Sequence, residues 1–231
     1  MGENRTSEQV RDQHLRDMGP ELGAVYDGLY NDVVWLHMRW KLYRQLFAKS
    51  QERLDLLNEA AGFFFHVVQD TLWEDVILQL AKLTDSPRSA GKDNLSLRCL
   101  PVLVSEESLL SEIKSLLNTA LVASGFARKW RNRRLAHRDL GLALATGGDP
   151  LPGISRADIE AALLAFRNLL NRLELHYWNS TVGYEHSLIG PGDGDSLVHY
   201  LNRGVRAEHE RRARLRSGRF VDQDIAGDEE V

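Results

Sequence analysis

The chain has 231 residues, of which 43% are hydrophobic, and this length and composition favour one domain with a sizeable core and terminal extensions. Its mean hydropathy is −0.35, and no window approaches the roughly 18 uninterrupted apolar residues of a membrane span, which excludes a membrane-embedded class. Cys99 is the only cysteine, so neither an intrachain disulfide nor a multi-cysteine zinc site is expected. The first residues lack the apolar stretch of a secretion signal. We therefore expect a soluble cytoplasmic protein that needs no metal or other cofactor.

The net charge of −4 is unevenly distributed along the chain. Residues 127–138 contain six basic residues and no acid, and removing those six charges from −4 leaves −10 on the rest of the chain. A concentrated basic patch on an acidic body is typical of phosphate recognition. A second arginine-rich stretch, residues 203–219, is diluted by two glutamates and is interpreted as a solvated helix that leads into a disordered acidic tail.

Helical periodicity dominates the first half of the sequence. Residues 7–18 predict a short polar helix that Gly19 and Pro20 stop, and Pro20 suits the first turn of the next helix. From there apolar residues recur at alternating steps of four and three, which predicts a helix to about residue 48. Its apolar positions are Leu22, Tyr26, Leu29, Val33, Leu36, Trp40, Tyr43 and Phe47. Its aromatic members are interpreted as core or as a dimer contact.

A second long helix is predicted over residues 51–84, followed by a loop at 86–94 and a short turn at 95–100. Its inner face would consist of Leu54, Leu57, Ala61, Phe64, Val68, Leu72, Val76, Leu80 and Leu83. Ser105 is predicted to cap a third helix, which runs towards the basic segment.

A glycine- and proline-rich break at residues 147–153 precedes the fourth predicted helix, which a Ser155–Asp158 capping box opens and which runs to about residue 178. A last helix is expected over about 195–215. Few segments alternate like strands, so the fold class is all-α, an up-and-down bundle of four or more long helices. The predicted organisation is a polar extension at 1–19, the bundle at 20–190, and a C-terminal helix with an acidic tail at 191–231.

The basic segment contains Arg131, then Asn132, and after five intervening residues His137. An arginine, often followed by asparagine, and then a histidine after four to six residues is the signature of the HEPN superfamily, which this segment resembles. Further segments are similar to the abortive-infection (AbiU-like) branch of that superfamily. They are residues 47–50, 80–85, 94–97 and 136–139, and the resemblance covers roughly residues 25–185.

The resemblance implies a metal-independent endoribonuclease of the toxin or phage-defence type. Arg131 would clamp the scissile phosphate and His137 would transfer protons. Asn132 would be a polar residue that orients the site, which the two chains of a homodimer would share. Arginine has a planar fork suited to phosphate, and histidine has a pKa near neutrality. RNA and an antitoxin protein are the implied partners. The expected RNA-binding residues are Arg128, Lys129, Arg133, Arg134 and Arg138.

Helix geometry leaves alternatives open. At about 100° per residue, Arg131 and His137 would lie about 240° apart on an unbroken helix. The helix must therefore end or distort before His137, or a partner chain must complete the pair. His137 could instead cap helix carbonyls. The chain would then be a non-catalytic helical homodimer that binds RNA or a partner protein through its basic patch.

Other titratable residues have simpler interpretations. His37, His66 and His176 lie on or near apolar stripes and are expected to be core or boundary residues. Asp75 lies on the inward side of the second helix, where it could orient Arg131 or His137, although a boundary ion pair is the favoured reading.

Overall fold

Helices form most of the regular structure in the computed structural model, which describes residues 6–89, 91–135, 151, 153–186 and 192–225. The helices are α1 (Ser7–Met18), α2 (Pro20–Phe47), α3 (Gln51–Lys82), α4 (Leu100–Leu103), α5 (Glu107–Ala123), α6 (Gly125–Trp130), α7 (Arg156–Trp178), α8 (Gly194–Arg216) and α9 (Asp222–Ile225). The predicted all-α fold with at least four long helices is confirmed. Within the described ranges, no helix is long and apolar enough to cross a membrane.

Helix ends follow the local capping chemistry in most places. Ser155 caps α7 in a reciprocal capping box with Asp158, as predicted. Thr6 opens α1 in the same way. The prediction that Ser105 caps the third helix was wrong by one residue: Glu106 has extended backbone angles (φ −75°, ψ 121°), so α5 begins at Glu107. The Ser108 hydroxyl donates to the Glu106 carboxylate at 2.5 Å.

Helix α3 is broken at Ala61, whose backbone angles (φ −164°, ψ 66°) are not helical. The predicted inner face fails near this break, because the side chain of Phe64 is 60% exposed whereas that of Phe65 is buried. A break rotates the residues beyond it about the helix axis, so one repeating stripe cannot describe both segments. The stripe holds again at Val76 and Leu80, which are fully buried.

The predicted loop after α3 contains a small hairpin, in which β1 (Arg88–Ser89) pairs antiparallel with β2 (Lys92–Asp93). Asn94 N donates to Pro87 O at 2.7 Å within this connection, and Leu97 N donates to Leu83 O at 2.9 Å, which ties the connection to the end of α3. The predicted short turn becomes a 3-10 turn at Leu97–Cys99 that continues into α4.

The chain divides into two compact units, the first of which comprises Met1–Trp40 and Trp73–Ser187. Helix α5 packs along α7 in this unit, and Arg172 Nε lies 2.5 Å from Glu112 Oε2 across that contact. Helices α1 and α2 meet closely at Gly23, where a Cβ would lie 2.7 Å from Leu15 Cα. Fully buried core residues of this unit include Tyr26, Leu29, Val33, Leu36, Ile77, Leu80, Ile113, Ala162, Phe166, Leu169 and Leu173.

The second unit comprises Lys41–Leu72 and Leu188–Val231. Asp195 in the first turn of α8 accepts from Lys49 Nζ at 2.7 Å and pairs with Arg53 Nη1 at 2.6 Å. Within the expected tail, residues 222–225 form α9, in which Asp224 is buried and accepts from Arg214 Nε at 2.9 Å. Residues 226–231 lie outside the described residues, and the predicted boundaries at 19 and 190 stay predictions.

Candidate functional site

The basic segment departs from α-helical geometry where the motif begins. Helix α6 ends at Trp130 and passes directly into a π-helical stretch, Arg131–Leu135. Such stretches are rare and frequently occur at functional sites. A distortion between Arg131 and His137 is one of the conditions that the motif needs on geometric grounds. His137 and Arg138 themselves lie outside the described residues.

A cavity of about 480 Å³ opens beside the start of the π-helical stretch. Its walls come from the end of α3, from the hairpin and from the basic segment. The lining residues are Asp85, Ser86, Ser89, Lys92, Asn94, Arg128, Arg131 and Asn132. Three cationic side chains therefore face one carboxylate, among hydroxyl and amide groups that can donate hydrogen bonds. This composition suits an anionic ligand that carries several acceptor oxygens.

Arg131 is fixed on two sides of its guanidinium group. Nη1 donates to both carboxylate oxygens of Asp85, while Nε and Nη2 donate to Asn132 Oδ1 at 3.1 and 3.0 Å. The side chains of Arg131 and Asp85 are 22% and 24% exposed, so solvent still reaches the pair. The arginine is thus held in one orientation at the cavity wall.

The end of α3 anchors two further arginines. The backbone carbonyl of Thr84 accepts from Arg128 Nη2 and, at 2.9 Å, from Arg98 Nε. Carbonyl groups at a helix C-terminus carry partial negative charge, which favours arginine there. Arg128 therefore reaches the cavity with its guanidinium partly committed to the fold.

The predicted RNA-binding residues do not all line the cavity. Arg128 does, beside Arg131 and Asn132 of the predicted catalytic set, whereas Lys129 is exposed outside it. Arg134 lies over the Trp130 ring at 5.2 Å and pairs with Glu74 at 3.8 Å. Arg133 also lies outside the lining. Sequence reasoning missed Lys92, because the hairpin brings this residue to the cavity and the spacing of polar residues did not reveal the hairpin.

The acid that holds Arg131 was not identified from the sequence. Asp75 forms the boundary ion pair expected of it, with Arg39 Nε at 3.3 Å, and accepts from Gln79 at 3.3 Å. Asp85 holds Arg131 instead. The available signal was the 80–85 segment of the family resemblance, which ends on this residue.

The other histidines have different environments. His37 is buried, as expected, and burial, with a contribution from nearby Arg167, lowers its pKa to about 4. His176 is a boundary residue 3.3 Å from Glu106. The expectation for His66 was wrong, since its side chain is 68% exposed and lies 3.7 Å from Asp70. His66 lies after the break in α3, so its side chain does not point in the direction that the apolar stripe predicts. The described residues contain no cluster of three or more metal-ligating side chains.

The family model described as AbiU2, a HEPN family, matches residues 19–188, a span that contains the cavity and the whole Arg131–His137 motif. No curated protein and no solved structure matches the chain.

Proposed function

Because this chain belongs to the AbiU2 family of HEPN proteins, we propose that it is a metal-independent endoribonuclease of the toxin or phage-defence type. The observation that carries the proposal is Arg131, oriented by Asp85 and Asn132 on the wall of a cationic cavity. An arginine held in one orientation reduces the entropy lost when it binds a phosphate. The cavity supplies further donors for the neighbouring phosphates of an RNA strand.

In the proposed reaction the ribose 2′-hydroxyl attacks the adjacent phosphorus atom and loses its proton. The bond from phosphorus to the 5′-oxygen of the next nucleotide breaks, and that oxygen takes up a proton. The products are a 2′,3′-cyclic phosphate and a free 5′-hydroxyl. His137 would transfer protons, and Arg131 would stabilise the negative charge that builds up on the phosphate. Asn132 would orient Arg131, a role that its two contacts with the guanidinium support.

We also propose that the site is completed in a homodimer and that an antitoxin protein restrains it. The apolar stripe of α2 was interpreted as core or as a dimer contact. Most of that stripe is buried within the chain itself, since Tyr26, Leu29, Val33 and Leu36 are 0% exposed. The dimer must therefore use other surfaces.

The test is cleavage of RNA in the presence of EDTA by the wild type and two variants. His137→Ala should lower turnover about 10²- to 10⁴-fold and keep RNA binding, because it removes acid–base catalysis alone. Arg131→Ala should weaken both turnover and binding, because a phosphate contact acts in the ground state and in the transition state. His66→Ala is the matched control, since it removes an exposed histidine outside the cavity.

Lys129→Ala provides a second control for charge, because Lys129 is exposed and outside the cavity. It should reduce RNA affinity and its salt dependence with little change in turnover. Equal cleavage by the wild type and His137→Ala at matched thermal stability would contradict the proposal that the chain is a ribonuclease. The basic segment would then be a binding surface of a non-catalytic dimer.

A further inference from the structure

A second cavity, of about 470 Å³, lies in the first unit between α1, α2 and α7. It shares no lining residue with the Arg131 cavity. Its lining consists of Val10, Gln13, His14, Tyr30, Glu174, Trp178, Ser180 and Val182. The lining contains one carboxylate and neither lysine nor arginine, so its electrostatic character is opposite to that of the first cavity.

Glu174 is the acidic group of this cavity and is only 7% exposed. Its Oε1 accepts from the Tyr26 hydroxyl, and its Oε2 lies 3.4 Å from Ser180 Oγ. Among the described residues no lysine, arginine or histidine forms an ion pair with it. A buried carboxylate without a cation is costly, and such groups are normally paired. The position therefore favours a positive ligand.

Three aromatic rings contribute to the wall. The His14 ring lies 5.7 Å from that of Tyr30 and 5.4 Å from that of Trp178, measured between centroids. Trp178 is held in place because its Nε1 donates to Asp17 Oδ2 at 2.7 Å. His14 is fixed by Asp27, 2.9 Å from its Nδ1. Aromatic faces attract organic cations through the ring quadrupole, most strongly when the ion is desolvated.

The protonation of the tyrosines agrees with this character. Burial, Tyr184 and the Glu174 carboxylate hold the pKa of Tyr26 far above its usual range, so Tyr26 remains a donor to Glu174. Burial and the charges of Glu174 and Asp27 raise the pKa of Tyr30. The carboxylates contribute to both shifts in the direction expected beside a negative charge.

We propose that this cavity binds a small organic cation, an alkylammonium or alkylguanidinium ion, against the rings that line it, with its charge on Glu174. A hard metal ion fits less well, because such ions prefer several oxygen ligands that include more than one carboxylate, and this wall offers a single carboxylate. The volume lies within the range of small-molecule sites, which is about 300–1,000 Å³. This site is separate from the proposed ribonuclease centre and does not depend on it.

The test is isothermal titration calorimetry of the full chain with n-butylammonium and n-propylguanidinium chlorides. The neutral n-butanol serves as a shape-matched control ligand. Glu174→Gln keeps the side-chain shape and removes the charge, and should weaken cation binding at least about tenfold. Tyr30→Leu keeps the charge and removes a ring, and should weaken binding about 3- to 30-fold. Glu107→Gln changes the net charge equally at an exposed position of α5 and should bind as the wild type does.

Thermal unfolding of each variant shows whether it is folded. If Glu174→Gln does not fold, the affinity of Tyr30→Leu for the cations tests the proposal. A cation that raises the melting temperature of the wild type but not of the two cavity variants supports the proposal. Three results would overturn it: no binding of either cation up to about 10 mM, equal binding of n-butanol, or unchanged affinity in both cavity variants.

Discussion

Replacing Asp85 by alanine should lower the rate of RNA cleavage about 10- to 30-fold, because Arg131 would lose the partner that holds Nη1. A hydrogen bond to a charged group contributes about 1.5–3 kcal/mol. The two side chains are 22% and 24% exposed, so solvent screening places this pair near the lower end of that range. Each 1.4 kcal/mol corresponds to about a tenfold change in rate, which gives the expected loss.

The direction of the effect separates positioning from simple electrostatics. Asp85→Ala removes a negative charge from a site proposed to bind RNA, which by itself would strengthen binding and speed cleavage. If Asp85 acts by positioning Arg131, kcat falls while KM stays the same or decreases. The assay is steady-state cleavage of a fluorescent RNA, with Asp75→Ala as the control. Asp75 also pairs with an arginine on the same unit but lies outside the cavity, so that variant should cleave as the wild type does.

A double-mutant cycle completes the experiment. Asp85→Ala should have little further effect when Arg131 is already alanine, because a residue that acts through another has nothing left to position. Additive losses in the double variant, or cleavage by Asp85→Ala at or above the wild-type rate, would refute the reasoning. The same cycle in urea unfolding should give a coupling of about 1 kcal/mol, which is measurable even for a chain that does not cleave RNA.

Three further predictions concern stability and assembly. Burial and Arg167 lower the pKa of His37 from 6.5 to about 4, so the unfolded chain binds an extra proton between these pH values. The free energy of unfolding should therefore fall by up to about 3 kcal/mol as the pH drops from 6.5 towards 4. Urea titrations at several pH values should show that the free energy of unfolding of His37→Gln depends less on pH. Gly23→Ala should destabilise the chain by about 1–3 kcal/mol, because its Cβ would collide with Leu15. Gly204→Ala is the control: its Cβ would meet no atom within 4 Å, so it should be neutral or stabilising by up to about 1 kcal/mol. Equal melting temperatures of the two variants would contradict this. Light scattering at micromolar concentration should give twice 26.2 kDa, and a monomer mass would count against the shared site.

Local chemistry made much of the fold predictable from the sequence. The capping box at Ser155, the proline at the start of α2 and the regular apolar stripe along that helix each depend on neighbouring residues. In such places the energy that fixes the structure is already present within a few turns of chain. The predicted ends of α1, α2 and α7 therefore agree with the structure to within about a residue.

Features set by distant contacts were not predictable in the same way. Gly62 weakens the helix beside the break at Ala61, but one glycine does not determine whether or where a helix breaks, and alanine itself is the strongest helix former. Asp85 and Arg131 are separated by 46 positions, and their pairing depends on how α3 ends relative to α6. The motif identified Arg131 as the residue of interest, but only the fold could reveal which acid holds it.

Arg98 and Arg128 bind the carbonyl of Thr84, and Arg131 binds Asp85. These contacts couple the stability of the end of α3 to the occupancy of the cavity. A bound anion that draws on Arg128 or Arg131 must alter how often the last turn of α3 opens, and amide hydrogen exchange near Thr84 would report it. Such linkage is reciprocal, so a molecule that restrains this turn changes anion affinity by the same factor. An inhibitor of this protein could therefore act on the end of α3 and leave the cavity itself empty.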